Sequence, residues 1–139
     1  MPVEDWRSMF ETNVNGIFYC SRSVIPQMKK NDSGHIINIS SVLGIIGKEE
    51  MACYCGTKHA VRGISHSLHL ELRNFGIKVT CIYPGSIKTN FYDNIDIAQA
   101  NDNMMIPKDI AGTIIHALES QPNYHHVDID VRPLRLKGK

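Results

Sequence analysis

Two short β-branched runs bracket one long helical stretch in the middle of this chain, and that order leaves few folds open. His35-Ile36-Ile37-Asn38-Ile39-Ser40 is the first run and Ile77-Lys78-Val79-Thr80-Cys81-Ile82-Tyr83 the second. Between them, after a loop carrying Gly44 and Gly47, a helical pattern extends from about Met51 to Phe75 and meets Gly76, which adopts the left-handed helix-ending conformation at little cost. Strand, helix and strand in this order form a βαβ unit, whose strands pair in parallel through a right-handed crossover. Isoleucines at both parities of the first run predict burial on both of its faces. In such sheets ligands bind beyond the carboxyl ends of the strands. Ser40-Ser41 and Pro84-Gly85 both fall there.

Upstream, Trp6, Phe10, Val14, Ile17, Phe18, Ile25 and Met28 recur mostly at three- and four-residue steps, which predicts one long helix from about Val3 to Lys29 with an apolar face. Asn31-Asp32-Ser33-Gly34 ends it. Downstream, the polar segment Ser86 to Ile106 is long for a connection and reads as a lid rather than a poorly ordered loop. Pro107 starts a third helix with Asp109 in its first turn and Ile110, Ile114 and Leu118 aligned. Val127 to Val131 reads as a final strand near an edge.

Composition excludes several classes. With 139 residues, 42% hydrophobic, and a formal net charge of +1, the chain is one soluble globular domain or part of a larger one. Apolar runs are strand-sized and no long basic block occurs, so neither a membrane nor a nucleic-acid partner is expected. The basic tail Arg132 to Lys139 reads as solvated. Cys20, Cys53, Cys55 and Cys81 form no metal-binding or redox pair and are expected to be reduced. His66, His69, His125 and His126 read as surface or core-edge residues, and no metal site is expected. The start Met1-Pro2-Val3-Glu4-Asp5-Trp6 does not read as a signal peptide, so a cytoplasmic location is expected.

The chemistry concentrates on Tyr54 and Lys58, thirteen and seventeen positions after Ser41. A phenol titrates near ~10 and is a poor acid-base catalyst at neutral pH unless a neighbour stabilises its anion. On a helix, residues at i and i+4 share a face, so Lys58 can be that neighbour. Lowering the phenol by ~3 units needs ~4 kcal/mol, within reach of a partly desolvated charge and out of reach of an exposed one. The pair therefore requires a cleft.

These residues and their order resemble the short-chain dehydrogenase/reductase family. Thr12-Asn13-Val14-Asn15-Gly16-Ile17-Phe18 is similar to its helix motif and places the active-site asparagine on Asn13. Ile39-Ser40-Ser41 is similar to its strand-end motif, with Ser41 in the catalytic place; Tyr54 and Lys58 match its Tyr-x-x-x-Lys. Pro84-Gly85-Ser86-Ile87-Lys88-Thr89 matches the segment carrying the nicotinamide end of the cofactor. The resemblance implies an α/β fold, a Rossmann-like doubly wound parallel sheet that is incomplete here, with only the last three strands and their helices. The family's glycine-rich turn and Asn-Asn-Ala-Gly motif are not found, so residues 1–139 are expected to be the catalytic half of the domain, without its dinucleotide-binding half and inactive alone.

Within the family, Pro2 to Trp6 and the stretches Ile106 to Ile110 and Val131 to Pro133 most resemble bacterial NADP-dependent dehydrogenases of serine and 3-hydroxy acids. That implies NADP, in preference to NAD, and a small alcohol or carbonyl substrate such as a 3-hydroxy acid. By the same resemblance Tyr54 is the acid-base residue, Lys58 depresses its pKa and holds the nicotinamide ribose, and Ser41 donates to the reacting oxygen. Asn13 holds a water on the proton path, and Ile87 and Thr89 position the carboxamide. A homo-oligomer pairing through the two long helices is implied too. Two other readings stand beside this one. The chain could be non-catalytic and act through a partner or self-association at an exposed strand edge, or be a sugar-nucleotide epimerase or dehydratase, against which the Asn13 motif speaks.

Overall fold

The computed structural model describes residues 1–90 and 100–135. Residues 91–99 of the expected lid and the end of the basic tail lie outside those residues. Helices α1 (Val3–Phe10) and α2 (Gly16–Asn31) are joined through one π turn, Glu11–Asn15. Strand β1 (Gly34–Ile39), a 3₁₀ turn (Val42–Gly44), helix α3 (Ala52–Leu72), strand β2 (Ile77–Pro84), helix α4 (Pro107–Leu118) and strand β3 (Asp128–Val131) follow. The sheet is parallel throughout in the order β1-β2-β3, a Rossmann-like α/β arrangement.

The first long helix departs from expectation at the π turn. A π turn adds a residue to the helical repeat and rotates everything after it. Ile17 therefore packs toward Val61, Cys81 and Tyr83, while its neighbour Phe18 turns outward and is 51% exposed. Of the sixteen residues of α2 only Ser21 is buried, although Ile25 and Met28 lie against the core. Trp6, expected on the apolar face, is 45% exposed and stacks on Phe10 instead.

Burial of β1 also differs from the expected pattern. Ile36 packs with Leu72, Ile77 and Val79, and Asn38 is buried beside α3. On the opposite parity Ile37 is half-buried and Ile39 is 38% exposed. Period-two alternation puts Ile36 and Asn38 under the helices and leaves the other face with little to cover it. β2 is the central strand and carries the core on both faces, with Val79, Cys81, Ile82 and Tyr83 all buried.

The helix ends set the strands' starting points. α2 terminates at Asp32, which takes the left-handed conformation (φ 49°), and the amide of Ser33 reaches back to the carbonyl of Met28. α3 passes through a 3₁₀ turn, Arg73–Phe75, to Gly76 at φ 64°. A Cβ on Gly76 would collide with the carbonyl of Asp32, so the two turns stack directly on one another. Gly34 and Ile77 then form the first pair of the ladder.

In α4 the acidic first-turn residue acts as expected, its carboxylate accepting from the amide of Ile106 at 2.8 Å. Of the expected stripe Ile110, Ile114 and Leu118, the first is buried, the second half-buried and Leu118 49% exposed, with Ala117 buried in its place. After α4 the chain is tied to β2 by Lys78, whose ammonium donates to the carbonyls of Ser120, Gln121 and Tyr124 and to the Ser120 hydroxyl.

Candidate active site at the carboxyl end of the sheet

The site assembles where β1 and β2 end. Lys58, on the second turn of α3, is half-buried and donates to the carbonyl of Ile39, the last residue of β1, at 3.0 Å. Its ammonium stands 5.6 Å from the centre of the Tyr54 ring. The i, i+4 spacing thus places the charge beside the phenol, as the sequence implied. Burial lowers the Lys58 pKa from its ordinary value, because a desolvated ammonium gives up its charge more readily.

Ser41 caps the 3₁₀ turn, its Oγ accepting from the amide of Leu43 at 3.1 Å. That bond uses an oxygen lone pair and leaves the hydroxyl proton for donation. The capping role and the ability to donate to a substrate oxygen therefore coexist on one buried side chain. Asn13 lies within the π turn, and its amide nitrogen donates to Thr57 Oγ1 at 3.2 Å. Thr57 in turn donates to the carbonyl of Tyr54 at 2.8 Å. Asn13 is in this way tied to α3 one residue before Lys58.

Three residues without an assigned role in the sequence hold this arrangement. Thr57, fully buried, is the joint between Asn13 and the Tyr54 turn. Ser40 donates from Oγ to the Lys58 carbonyl at 2.8 Å, and Gly44 lets the 3₁₀ turn approach that same carbonyl, which a Cβ would meet at 2.7 Å. Their positions beside Ser41 and between Tyr54 and Lys58 were the available signal. Nothing in residue type alone distinguishes a joint from a bystander.

On the β2 side Pro84 is buried at the strand end and the Gly85 amide bonds the carbonyl of Val131 at 2.8 Å. A Cβ on Gly85 would meet Pro133 Cδ at 3.0 Å. Ile87 bridges to Met105, and Lys88 pairs with Asp102 at 2.6 Å, so the two ends of segment 86–106 are fastened together. Thr89 is exposed just before the undescribed residues. The structure brings Asn13, Ser41, Tyr54 and Lys58 to one end of the sheet and leaves Thr89 at the margin.

A cavity of about 500 Å³ runs along the outer edge of β1, bordered by Asn13, Ile17, Cys20, Ile37, Ile39 and Lys58. Ser41, Tyr54 and Gly85 do not line it, so it adjoins the site rather than containing it. The four cysteines are free. Among the described residues no cluster of His, Cys, Asp or Glu is arranged to hold a metal, and no helix is long and apolar enough to cross a membrane.

A parallel sheet with a serine, a tyrosine and a lysine gathered at its carboxyl end defines a dehydrogenase-type α/β fold, and comparison with known proteins agrees. Residues 1–100 match the short chain dehydrogenase family model, and the chain belongs to that family. It is 37% identical over 133 residues to an uncharacterized oxidoreductase of Staphylococcus saprophyticus, covering 95% of this chain and 56% of that protein. An uncharacterized oxidoreductase of Bacillus subtilis, YusZ, is 38% identical over 109 residues, 78% of this chain and 38% of its own length. Among solved structures, the closed form of serine dehydrogenase complexed with NADP+ superposes with a TM-score of 0.84 at 27% identity, over 94% of this chain and 56% of the other. Acetoin dehydrogenase YohF of Salmonella typhimurium gives 0.78 at 29% identity, over 96% and 56%. The chain spans about half the length of most of these relatives.

Proposed function

We propose that residues 1–139 are the catalytic part of an oxidoreductase that moves a hydride between NADP(H) and a small hydroxy or oxo compound, a 3-hydroxy acid being the favoured class. The observation that carries this reading is the half-buried Lys58 ammonium held beside Tyr54 at the end of β1. The dinucleotide-binding half would correspond to the part of the longer relatives that this chain does not span. We place the protein in the cytoplasm as a homo-oligomer pairing through α1–α2 and α3, where Phe18, Tyr19 and Leu70 are exposed.

The residues present fit a nicotinamide cofactor. Lys58 uses one N–H on Ile39 and offers others to ribose hydroxyls, while Pro84, Gly85 and Ile87 form a close, mainly apolar shelf. When bound, the nicotinamide supplies the acceptor or donor of hydride at C4. In oxidation Tyr54, as phenolate, takes the proton of the substrate hydroxyl while the hydride leaves the same carbon. Ser41 donates to the substrate oxygen, and Lys58 stabilises the Tyr54 anion. Asn13, joined to α3 through Thr57, supports a water on the path from Lys58 to solvent. Reduction reverses both transfers. Ile87 and Thr89 position the carboxamide.

The test is a chimera in which this chain replaces the matching 133 residues of the Staphylococcus saprophyticus relative. NADPH oxidation is followed with serine-derived, 3-oxo acid and acetoin-type substrates. Hydride transfer that is lost in Tyr54→Phe supports the reading; an unchanged rate in Tyr54→Phe refutes it. A second reading, a non-catalytic chain that acts through a partner or another copy, is favoured by one observation, the outer edge of β1, which no strand among the described residues pairs, with its adjoining cavity. A monomer at all concentrations in ultracentrifugation, showing one cooperative melt, would count against it.

A further inference from the structure

Far from the site, at the amino end of the sheet, histidines converge from every neighbouring element. His35 comes from β1, His69 from α3, His116 from α4, and His125 and His126 from the turn before β3. The His125 ring lies 4.9 Å from that of His69 and 6.0 Å from that of His35; His126 lies 5.5 Å from His116 and 4.8 Å from Tyr124. Lys78 stands among them, bonded to the chain just before His125.

The hydrogen bonds fix the donor nitrogen of two of the rings. Thr80 Oγ1 donates to the His126 carbonyl at 2.6 Å, so it accepts from His35 Nε2 at 2.7 Å. His125 Nε2 donates to the Val79 carbonyl at 3.0 Å. His69 Nδ1 and His126 Nε2 are buried with no partner among the described residues.

We propose that this cluster is an acid-sensitive latch: neutral, it holds the 124–127 turn against β2 and keeps β3 paired; protonated, it releases β3. β3 also holds the opposite end of the molecule, because the Val131 carbonyl accepts from Gly85 in the Pro84–Gly85 shelf. Release would therefore loosen that shelf. The inference stands on this packing and not on the Ser-Tyr-Lys reading.

The groups acting on the two best-placed rings are all cationic or histidine. Burial, then His125, Lys78 and His126, hold His35 at about 4. Burial lowers His125, with His69, Lys78 and His126 adding to it against the bond to Val79. Both rings take up protons more readily in the released chain, near ~6.5. The latch is thus intact above that value, weakens as pH falls from there through about 4 for His35, and weakens no further from His35 below it. At pH 5, His35 alone shifts the docking equilibrium by up to ~30-fold, and by ~tenfold once solvent screening of a partly exposed ring is allowed for.

Amide hydrogen exchange on the 139-residue chain tests this directly. The Cys81 and Gly85 amides bond the carbonyls of Val127 and Val131, whereas the Ser40 amide bonds Ile82 and reports the β1–β2 pair. Between pH 7 and 5, protection corrected for intrinsic rates should fall at least ~tenfold for Cys81 and Gly85 and hold for Ser40. The double variant His35→Gln, His125→Gln keeps both donors and should flatten that dependence several-fold. Should the variant fail to fold, ring carbon shifts of the unaltered chain decide: His35 should remain neutral at pH 5.5. Equal loss at all three amides, no loss by pH 5, or ordinary titration of His35 near ~6.5 would each overturn the latch.

Discussion

Two lysines, one at each end of the sheet, are used in opposite ways. Lys78 spends its ammonium on four oxygens at the end of α4, the hydroxyl of Ser120 and the carbonyls of Ser120, Gln121 and Tyr124. Among the described residues Lys58 has one hydrogen bond, to Ile39, and it gives up part of its hydration. A cation with every donor engaged fastens one element to another. A cation kept half-buried and under-bonded costs stability, which it returns only when a ligand or a neighbouring anion arrives.

The sharpest break between the two is in activity. In the chimera Lys58→Met should cut hydride transfer by ~100-fold or more, while the same change in the 139-residue chain should leave its melting temperature unchanged or higher. Lys78→Met should do the reverse, costing ~1–3 kcal/mol in denaturant unfolding by removing the charged tie between β2 and the end of α4. Equal destabilisation by both substitutions would erase the distinction. Gly44→Ala should cost ~1–3 kcal/mol, since the new methyl meets both Ser40 Oγ and the Lys58 carbonyl, and should displace the Lys58 turn; an unchanged melt would mean the 3₁₀ turn is free to move.

The smallest effect concerns pH. Because the folded-state pKa of Lys58 is depressed, the folded chain releases that proton before the unfolded chain does. Its cost is fully present at neutral pH and is relieved as pH rises from the depressed value to the ordinary ~10.5. Unfolding free energies of the unaltered chain should therefore rise relative to Lys58→Met over that alkaline window. A constant difference would show that Lys58 is not desolvated.

The sequence made the βαβ order legible because each element carries a local signal: isoleucine and valine runs for β1 and β2, Gly76 after α3, and Pro107 with Asp109 opening α4. Tyr54 and Lys58 were legible for the same reason, since their meeting depends on helical spacing alone. The π turn was hidden. Phe10, Val14 and Ile17 keep stepping by three and four through it, and a single extra residue in one turn leaves no mark on composition. The one-sided burial of β1 and the gathering of His35, His69, His125 and His126 were hidden for another reason: they depend on which elements meet, and no local pattern records that. Ser40 and Thr57 lie in between, visible as neighbours of candidate residues and recognisable as joints only through their bonds.

The stacking of Asp32 on Gly76 constrains how this chain can change over evolutionary time. Loops usually absorb inserted or deleted residues with little loss, yet these two turns are the common origin from which β1 and β2 count their residues. One residue more or fewer in either would slide a strand against its neighbour and send Ile36 and Asn38, or Val79 and Cys81, to the wrong face. Length variation should accordingly collect in the segment between Ser86 and Ile106, while the two short turns at the opposite end keep a fixed count.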